Sequence, residues 1–269
     1  MIKEFEERTG WNVRVETGSA KEMLSQLEKE EADWDVAFGV SADALEEGKE
    51  YWQTGKDAWT GYSAVSFVIL YNTNVVTYRE LPTGWDSLLE PRWKGRVAVP
   101  DPLKSDMAAS VLTEAAKNSE KEEFLDLLAE NMQYQMPETF KEVEQGISDG
   151  RYSIGVTSEE AAKAMLAAGQ DVDYIDPEEG ECFFEDGTAI RKRTPNLDAS
   201  EAFVTYTTCD DTKWLLRTQL LRQPAEDVAA ENDRSDEDLK QRYSRQQEVL
   251  NIWKLIMEEK SGSAHEQEQ

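Results

Sequence analysis

Four turns in this sequence carry hydroxyl side chains at the point where a short apolar stretch gives way to a helical pattern. Their residues are Ser19, Ser41, Ser105, and the adjacent pair Thr157 and Ser158. The first N–H groups of a helix have no partner within the helix, and the helix dipole adds partial positive charge beside them. Such donors would bind an anionic or strongly polar ligand. The alternative is that each hydroxyl only caps its own helix, which is its commonest use there.

The apolar stretches before these turns are predicted to be strands. In chain order they are NVRV, DVAF, RVAVPDP and YSIGV, and a helical pattern follows each of them. The spacing of Ser19 from Glu22, and of Thr157 from Glu160, is that of a capping box and predicts two of the helix starts. Alternating strands and helices predict an α/β architecture with mainly parallel sheets. The four turns would then collect at the carboxyl edge of the strands.

Two longer strands are predicted in the middle of the chain. SAVSFVILYN (63–72) is a continuous apolar run, typical of a strand buried on both faces, and DGTAIRKR (186–193) is shorter and more polar. The block between them, from about residue 73 to residue 180, has its own strand and helix patterns. Two strand crossings around such a block predict two lobes with a double-stranded hinge. One continuous doubly wound sheet is the alternative.

Residue types argue against an enzyme. His265 is the single histidine and lies in the polar segment SGSAHEQEQ, so a Ser-His-Asp triad or a histidine zinc site would need a partner's residue. The sequence contains no HExxH or phosphate-loop motif. Cys182 and Cys209 either pair or stay unpaired, and two cysteines are too few for a cysteine-rich metal site. We expect no catalytic residue, no cofactor and no metal ligands.

The charge of the chain excludes one class of partner. Lys and Arg number 29 against 56 Asp and Glu, which gives a formal net charge of −27. Nucleic acids and anionic membranes bind basic surfaces, so neither is expected as a partner. Hydrophobic residues make up 39% of the chain, which is enough for a packed core. With so many carboxylates, a pair of acids close in sequence is no evidence for acid–base catalysis.

Both ends of the sequence are predicted to be helical. MIKEFEERTG has the pattern of the end of an amphipathic helix, with Ile2 and Phe5 facing inward and Gly10 as its stop. A domain rarely begins within a helix, so we expect a first strand and any export signal to lie outside this sequence. Helical spacing recurs in ASEAFVTYTT, in TKWLLRTQLL and over residues 238–260, whereas 261–269 is expected to be a disordered tail.

The order of these motifs resembles that of the extracellular solute-binding proteins of ABC importers, with the type 2 periplasmic-binding-protein fold. The similarity extends over about residues 2–260, and the nearest branch holds ferric-iron, phosphonate and sugar-phosphate binders. The segments that carry it are FEERTG, TGSAKEML, DWDVAFGVSAD, WTGYSAVSFVILYNTNVV, LPTGWDSLLEPRWKGRVAVPDPLKS, SIGVTSEEAA, DPEEGE, DGTAIRKRTPN and ASEAFVTYTT. The most specific of them is PTGWDSLLEPRWKGRVAVPDP with the preceding LYNTN.

The resemblance implies a non-catalytic receptor of two lobes. Residues 1–70 would form lobe 1 and 71–183 lobe 2, with 184–260 supplying the returning hinge strand and the last helices of lobe 1. Strands near 67–71 and 188–190 would be the crossings. The receptor would capture a small-molecule ligand between its lobes and deliver it to a membrane permease. It would work as a monomer in the periplasm or outside the cell, either free or lipid-anchored.

The resemblance also bears on the ligand. Ferric binders of this branch hold the metal with adjacent tyrosines after the strand that is SIGV here, where this chain has TSEEAA, so direct ferric binding is disfavoured. A phosphonate or a phosphorylated metabolite is favoured instead, with hydrogen bonds from Ser19, Ser41, Ser105, Thr157 and Ser158. Tyr62, in WTGY, would either line the cleft or pack in the core.

Two departures from the family pattern keep other ligands open. Asp106 and Met107 stand where relatives often have two small residues, and an aspartate there would favour a ligand that carries an amine. Of the arginine-rich stretch before the last helices, Arg222 is kept but little else. The alternatives are a zwitterion such as an aminophosphonate, a polyamine or thiamine-type cation, and ferric iron. A two-lobed enzyme or a ligand-sensing regulatory module is the alternative of another class.

Overall fold

The computed structural model describes residues 1–53, 58–180, 182–220, 222–229 and 236–267, with the backbone alone at 228–229, 236–237 and 261–267. In chain order the α-helices are α1 Ile2–Thr9, α2 Ala20–Glu28, α3 Ala42–Glu47, α4 Asp106–Asn118, α5 Phe124–Asn131, α6 Phe140–Ser148, α7 Glu159–Ala167, α8 Leu197–Thr207, α9 Asp210–Leu215, α10 Ala225–Ala229 and α11 Asp236–Gln267. The strands are β1 Val36–Ser41, β2 Thr60–Asn72, β3 Val97–Ala98, β4 Ile154–Ser158, β5 Val172–Ile175, β6 Cys182–Ile190 and β7 Gln223–Pro224.

The chain folds as two units. Unit 1 comprises Met1–Val65 and Phe184–Tyr243, and unit 2 comprises Ser66–Phe183 and Ser244–Gln269. The chain therefore passes from one unit to the other within β2, within β6 and within α11. The last of these crossings differs from the expected division, which assigned all of 184–260 to the first lobe.

Several predicted helix ends are confirmed. The first helix stops at Gly10, whose φ of 77° places it in the left-handed region that glycine tolerates best. Helix α2 begins with the capping box predicted from sequence: the Ser19 hydroxyl accepts from the N–H of Glu22, and the Glu22 carboxylate accepts from the N–H of Ser19. Helix α11 continues through Gln267, so the expected tail is helical up to that residue, and 268–269 lie outside the described residues.

The sheet of unit 1 is antiparallel. Strand β1 pairs with β6, with Ser41 opposite Asp186, and β7 pairs with the first part of β2, with Ser63 opposite Pro224. The strand predicted at NVRV (12–15) does not form. The N–H of Val13 donates instead to the Glu6 carboxylate of α1, at 2.8 Å, so this segment lies against a helix.

The sheet of unit 2 contains the parallel pair. The second part of β2 pairs antiparallel with both β4 and β5, and β3 pairs parallel with β4. The α/β class is confirmed, but the described strands form a mixed sheet and not a mainly parallel one. Because residues 12–15 form no strand, the parallel partner expected for β1 does not form there. Strand β6 runs antiparallel to β1, and β2 runs antiparallel to β4, β5 and β7.

Each unit buries its own apolar core. In unit 1, Leu24, Leu45 and Trp52 belong to one cluster, and Phe5 packs against Phe203 and Tyr206 in a second. The core of unit 2 joins β2, β3 and β4 to α6 and α7, and its buried members are Val68, Leu70, Ala98, Val143, Ile147, Ala162, Met165 and Val172. Along the described part of the chain, no helix combines the length and apolar character needed to cross a membrane.

Candidate functional site

In unit 1, the end of β1 brings Ser41 and Tyr62 close to a buried ion pair. The bulge at Gly39, with φ 71°, shifts the register of β1 just before Ser41. A Cβ on Gly39 would lie 3.5 Å from the Tyr62 hydroxyl oxygen, and the Tyr62 ring stacks on Phe38 at 4.9 Å. Asp186 lies opposite Ser41 on β6. The turn after β1 is therefore lined by a phenol, a serine hydroxyl and a carboxylate.

The ion pair beside this turn joins Asp186 to Arg222. The carboxylate is 4% exposed and accepts a hydrogen bond from the Arg222 guanidinium. Burial raises the pKa of Asp186, against the opposing effect of Arg222. Burial, and next the charge of Asp186, raise the pKa of Tyr62 to about 12. The phenol therefore stays protonated at neutral pH and can donate a hydrogen bond.

A second buried carboxylate follows Ser41 directly. Asp43 is 2% exposed at the start of α3 and hydrogen-bonds with the Ser41 hydroxyl and with backbone N–H groups. Its Oδ2 atom has no hydrogen-bond partner among the described residues. Burial raises the pKa of Asp43, with Ser41 and Arg242 opposing that effect. Because a carboxylate only accepts, the Ser41 hydrogen is already used within the chain.

Replacing Asp43 with asparagine is expected to stabilise the protein increasingly as the pH rises from about 4 toward neutrality. Because the pKa of Asp43 is raised by folding, the unfolded chain ionises first, and wild-type stability falls through the window above the ordinary aspartate pKa of about 3.9. The stability difference should approach about 1.4 kcal/mol for each unit by which folding raises that pKa. Urea unfolding of both proteins at a series of pH values measures it.

The matched control for this prediction is Asp198→Asn. Asp198 occupies the same second position of a helix, α8, but is exposed. Its replacement should change stability by less than about 1 kcal/mol at every pH, since only the helix dipole is affected. Parallel pH curves for wild type and Asp43→Asn would contradict the assignment of a charged, desolvated carboxylate to this turn.

In unit 2, Ser105 and Ser158 cap the helices that follow the parallel strands. The Ser105 hydroxyl accepts from the N–H of Ala108, and that of Ser158 accepts from the N–H of Ala161, both at 3.2 Å. A serine that caps in this way still carries a hydroxyl hydrogen to donate. Since β3 and β4 are parallel, the turns that follow them leave the same edge of the sheet.

Thr157 has a different role from the predicted one. Ser158, and not Thr157, is the N-cap of α7, so the predicted capping box of Thr157 with Glu160 does not form. The Thr157 side chain is fully buried, and its hydroxyl donates to Oε1 of Glu144 on α6 at 2.7 Å. The error arose because the strand continues to Ser158, two residues beyond the end of the apolar pattern YSIGV.

The loop before α4 and the start of α6 lie at this same edge of unit 2. The N–H of Asp101 donates to the Pro137 carbonyl at 2.9 Å, which ties the loop before Ser105 to the segment before α6. The ring of Phe140, the first residue of α6, lies 5.1 Å from that of Phe67, which pairs with Ser158. Ser105, Ser158 and Glu144 are thus positioned around one edge.

Ser19 is used by its own helix. Both its hydroxyl and its N–H are engaged in the capping box of α2, and no strand precedes it. Sequence reasoning missed the carboxylates Asp43, Asp186 and Glu144. Asp186 could have been noticed as a charged residue within a segment predicted to be a strand. The other two could not, because a chain with 56 acidic residues gives no reason to single them out.

Cysteine and metal-ligand side chains are the last of the groups considered in the sequence. Cys182, which is buried, and Cys209 form no disulfide with each other. Among the residues that the structure describes, no group of three or more His, Cys, Asp or Glu side chains is placed to hold a metal ion.

Comparison with known proteins gives one family and one fold. Residues 21–247 match the family model described as bacterial extracellular solute-binding protein. Iron uptake protein A1 of Synechocystis sp. is 23% identical over 266 residues, which cover 87% of this chain and 70% of that protein. The ferric binding protein of Campylobacter jejuni superposes with a TM-score of 0.76 at 17% identity, covering 95% of this chain and 94% of that one. The periplasmic binding protein AfuA of Actinobacillus pleuropneumoniae, with fructose 6-phosphate bound, gives 0.78 at 15%, covering 96% and 93%.

Proposed function

Because the chain belongs to the bacterial extracellular solute-binding protein family, we propose that it is the solute-binding receptor of an ABC importer and acts outside the cytoplasmic membrane. The observation that carries this proposal is the family match over residues 21–247, together with a fold similar to that of periplasmic binding proteins. Its partners are a small solute and a membrane permease. It catalyses no reaction, and binding alone is its activity.

The favoured solute is a small polar molecule with a phosphoryl or carboxyl group. Hydroxyls that can donate to such a group are those of Ser105 and Ser158 in unit 2 and of Tyr62 in unit 1. Ser41 and Thr157 were expected to act in the same way, but their hydroxyls interact with Asp43 and Glu144. Phosphoryl and carboxyl oxygens accept hydrogen bonds from hydroxyl and N–H donors at helix starts.

Ferric iron is the second candidate, because two of the relatives above are named for iron. Ferric iron prefers hard, anionic oxygen ligands, which in tyrosine means the phenolate. The turn after β4 offers Thr157 and Ser158 instead of tyrosines. In unit 1 a pKa of about 12 disfavours the phenolate form of Tyr62. Both features favour the oxyanion over the metal.

Binding without turnover is the expected result of a solute screen on the purified protein. Thermal shift with inorganic phosphate, fructose 6-phosphate, ethyl phosphate, phosphoethanolamine, spermidine, thiamine and ferric citrate would find a ligand, and calorimetry would give its affinity. Replacing Ser105 or Ser158 with alanine should then weaken binding of a phosphoryl compound by roughly tenfold or more, because a hydrogen bond to a charged group is lost.

The control for these variants is Thr77→Ala. Thr77 is likewise an N-cap residue of unit 2, before a short 3₁₀ helix (Tyr78–Glu80), and its exposed hydroxyl donates to the Glu80 carboxylate at 2.7 Å. Its removal should leave the affinity unchanged. If ferric citrate gave a tyrosinate-type absorption band and no phosphoryl compound bound, the ligand would be ferric iron and not an oxyanion. If none of these compounds bound, the receptor function would lose its support.

A further inference from the structure

The Thr157 hydroxyl holds a carboxylate at the edge of unit 2 where the proposed solute donors lie. It donates to Glu144 at 2.7 Å from a fully buried position. A hydroxyl has one hydrogen, so this interaction uses the only donor that Thr157 has. The interaction therefore fixes the position of the Glu144 side chain, and Thr157 acts through Glu144 and not on a solute directly.

Glu144 is half-buried on α6, where it accepts the hydrogen bond from Thr157. Among the described residues it forms no ion pair with lysine or arginine, whereas Glu159, the first residue of α7, pairs with Lys163 at 2.6 Å. A carboxylate that is partly removed from water without a cationic partner costs free energy. Such a group, placed at an edge where ligands bind, is suited to a positive charge supplied by the solute.

The position of Glu144 narrows the chemical class of that solute to compounds that also carry an oxyanion. The same edge carries the Ser105 and Ser158 hydroxyls, which can donate to an oxyanion. The loop contact between Asp101 and Pro137 and the ring contact between Phe140 and Phe67 place α6 at this edge. Hydroxyl donors and a carboxylate thus belong to the same edge of unit 2.

We propose that Glu144, oriented by Thr157, is a specificity-determining residue that selects solutes carrying a protonated amine together with a phosphoryl or carboxyl group. The ammonium group donates charge-assisted hydrogen bonds to Glu144, while the oxyanion accepts from the serine hydroxyls. The net charge of −27 repels an anionic solute, and a protonated amine lessens that repulsion because it lowers the net negative charge of the solute. The proposal rests on the receptor function proposed above.

The test compares two compounds that differ by the amine, phosphoethanolamine and ethyl phosphate, by calorimetry at constant salt. Wild type should bind phosphoethanolamine at least tenfold more tightly than ethyl phosphate. Glu144→Gln keeps the size and the acceptor for Thr157 but removes the charge, and it should bring the ratio close to one. Thr157→Val should reduce the ratio, and Thr157→Ser, which keeps the hydroxyl, should restore it.

The matched control is Glu142→Gln on the same helix. Glu142 is exposed, and its carboxylate accepts from the N–H of Glu138 at 2.7 Å, a bond that glutamine can keep. Its ratio should equal that of wild type. An unchanged ratio in Glu144→Gln, or an equal reduction in Glu142→Gln, overturns the proposal. Failure of wild type to bind either compound also overturns it, while ferric citrate or fructose 6-phosphate binding in the screen would leave the receptor function standing.

Discussion

Replacing Arg222 with methionine is expected to destabilise the folded protein by about 3 kcal/mol, because Asp186 would be left buried without its cation. Asp186 shows 6% of its side chain to solvent, and the Arg222 guanidinium is its ion-pair partner. Removing one member of a buried pair leaves a charge that water cannot reach, which costs far more than the pair contributes. Urea unfolding at pH 7 measures the loss.

A second arginine of unit 1 supplies the matched control. Arg217 makes a two-pronged ion pair with Asp227, but both side chains are at least 40% exposed. Arg217→Met should therefore cost no more than about 1 kcal/mol. The double variant Arg222→Met with Asp186→Asn should recover part of the loss, since the uncompensated charge is gone. Equal losses for Arg222→Met and Arg217→Met would show that burial of Asp186 is not what makes its pair important.

The elements that could be predicted are those whose causes are local. The apolar run 63–72 lies within β2, as expected for an uninterrupted apolar segment rich in β-branched and aromatic residues. The Ser19 capping box needs residues no more than three apart, and it forms as predicted. The N-cap Ser105 follows the same rule, whereas the cap of α7 was predicted at Thr157 and is Ser158. These features depend on neighbours in the chain, which a sequence shows directly.

The features that could not be predicted depend on distant partners. The segment 12–15 has a strand pattern, but the N–H of Val13 is taken by the Glu6 side chain. Strand direction is likewise decided by pairing between segments far apart, which is why the expected parallel sheet is mixed. Alternation of strands and helices predicts the class of fold but leaves the direction of long crossing strands undetermined.

The same distinction holds for the candidate site. Asp186 and Arg222 are 36 positions apart, and Thr157 and Glu144 are 13 apart. No spacing rule connects either pair, and among 56 acidic residues no single carboxylate stands out. The sequence thus indicated the serine hydroxyls of unit 2, whereas Glu144, the carboxylate that we propose to select the solute, could be found only in the folded chain.

Gly155 connects the packing of unit 2 with the position of Glu144, and its replacement by alanine should have a large effect. Gly155 lies in β4, opposite Leu70 on one side and Ala98 on the other. An added Cβ would lie 2.5 Å from the Ala98 carbonyl oxygen and 2.9 Å from Val143 of α6. The backbone at Ala98 can move away only at a large cost in free energy. We therefore expect Gly155→Ala to lower the free energy of unfolding, measured with urea, by about 3 kcal/mol, which is at the upper end of the range for overpacking.

This substitution should also affect solute selection, because α6 must move outward to make room for the methyl group. Glu144 lies on the same helix as Val143, and its bond to Thr157 depends on how closely α6 approaches β4. Gly155→Ala should therefore lower the preference for phosphoethanolamine over ethyl phosphate without touching either polar residue. Gly18→Ala is the control, since an added Cβ there meets only the flexible end of Glu22 at 3.2 Å. A stable Gly155→Ala protein with the wild-type preference would contradict the dependence of selectivity on this close contact.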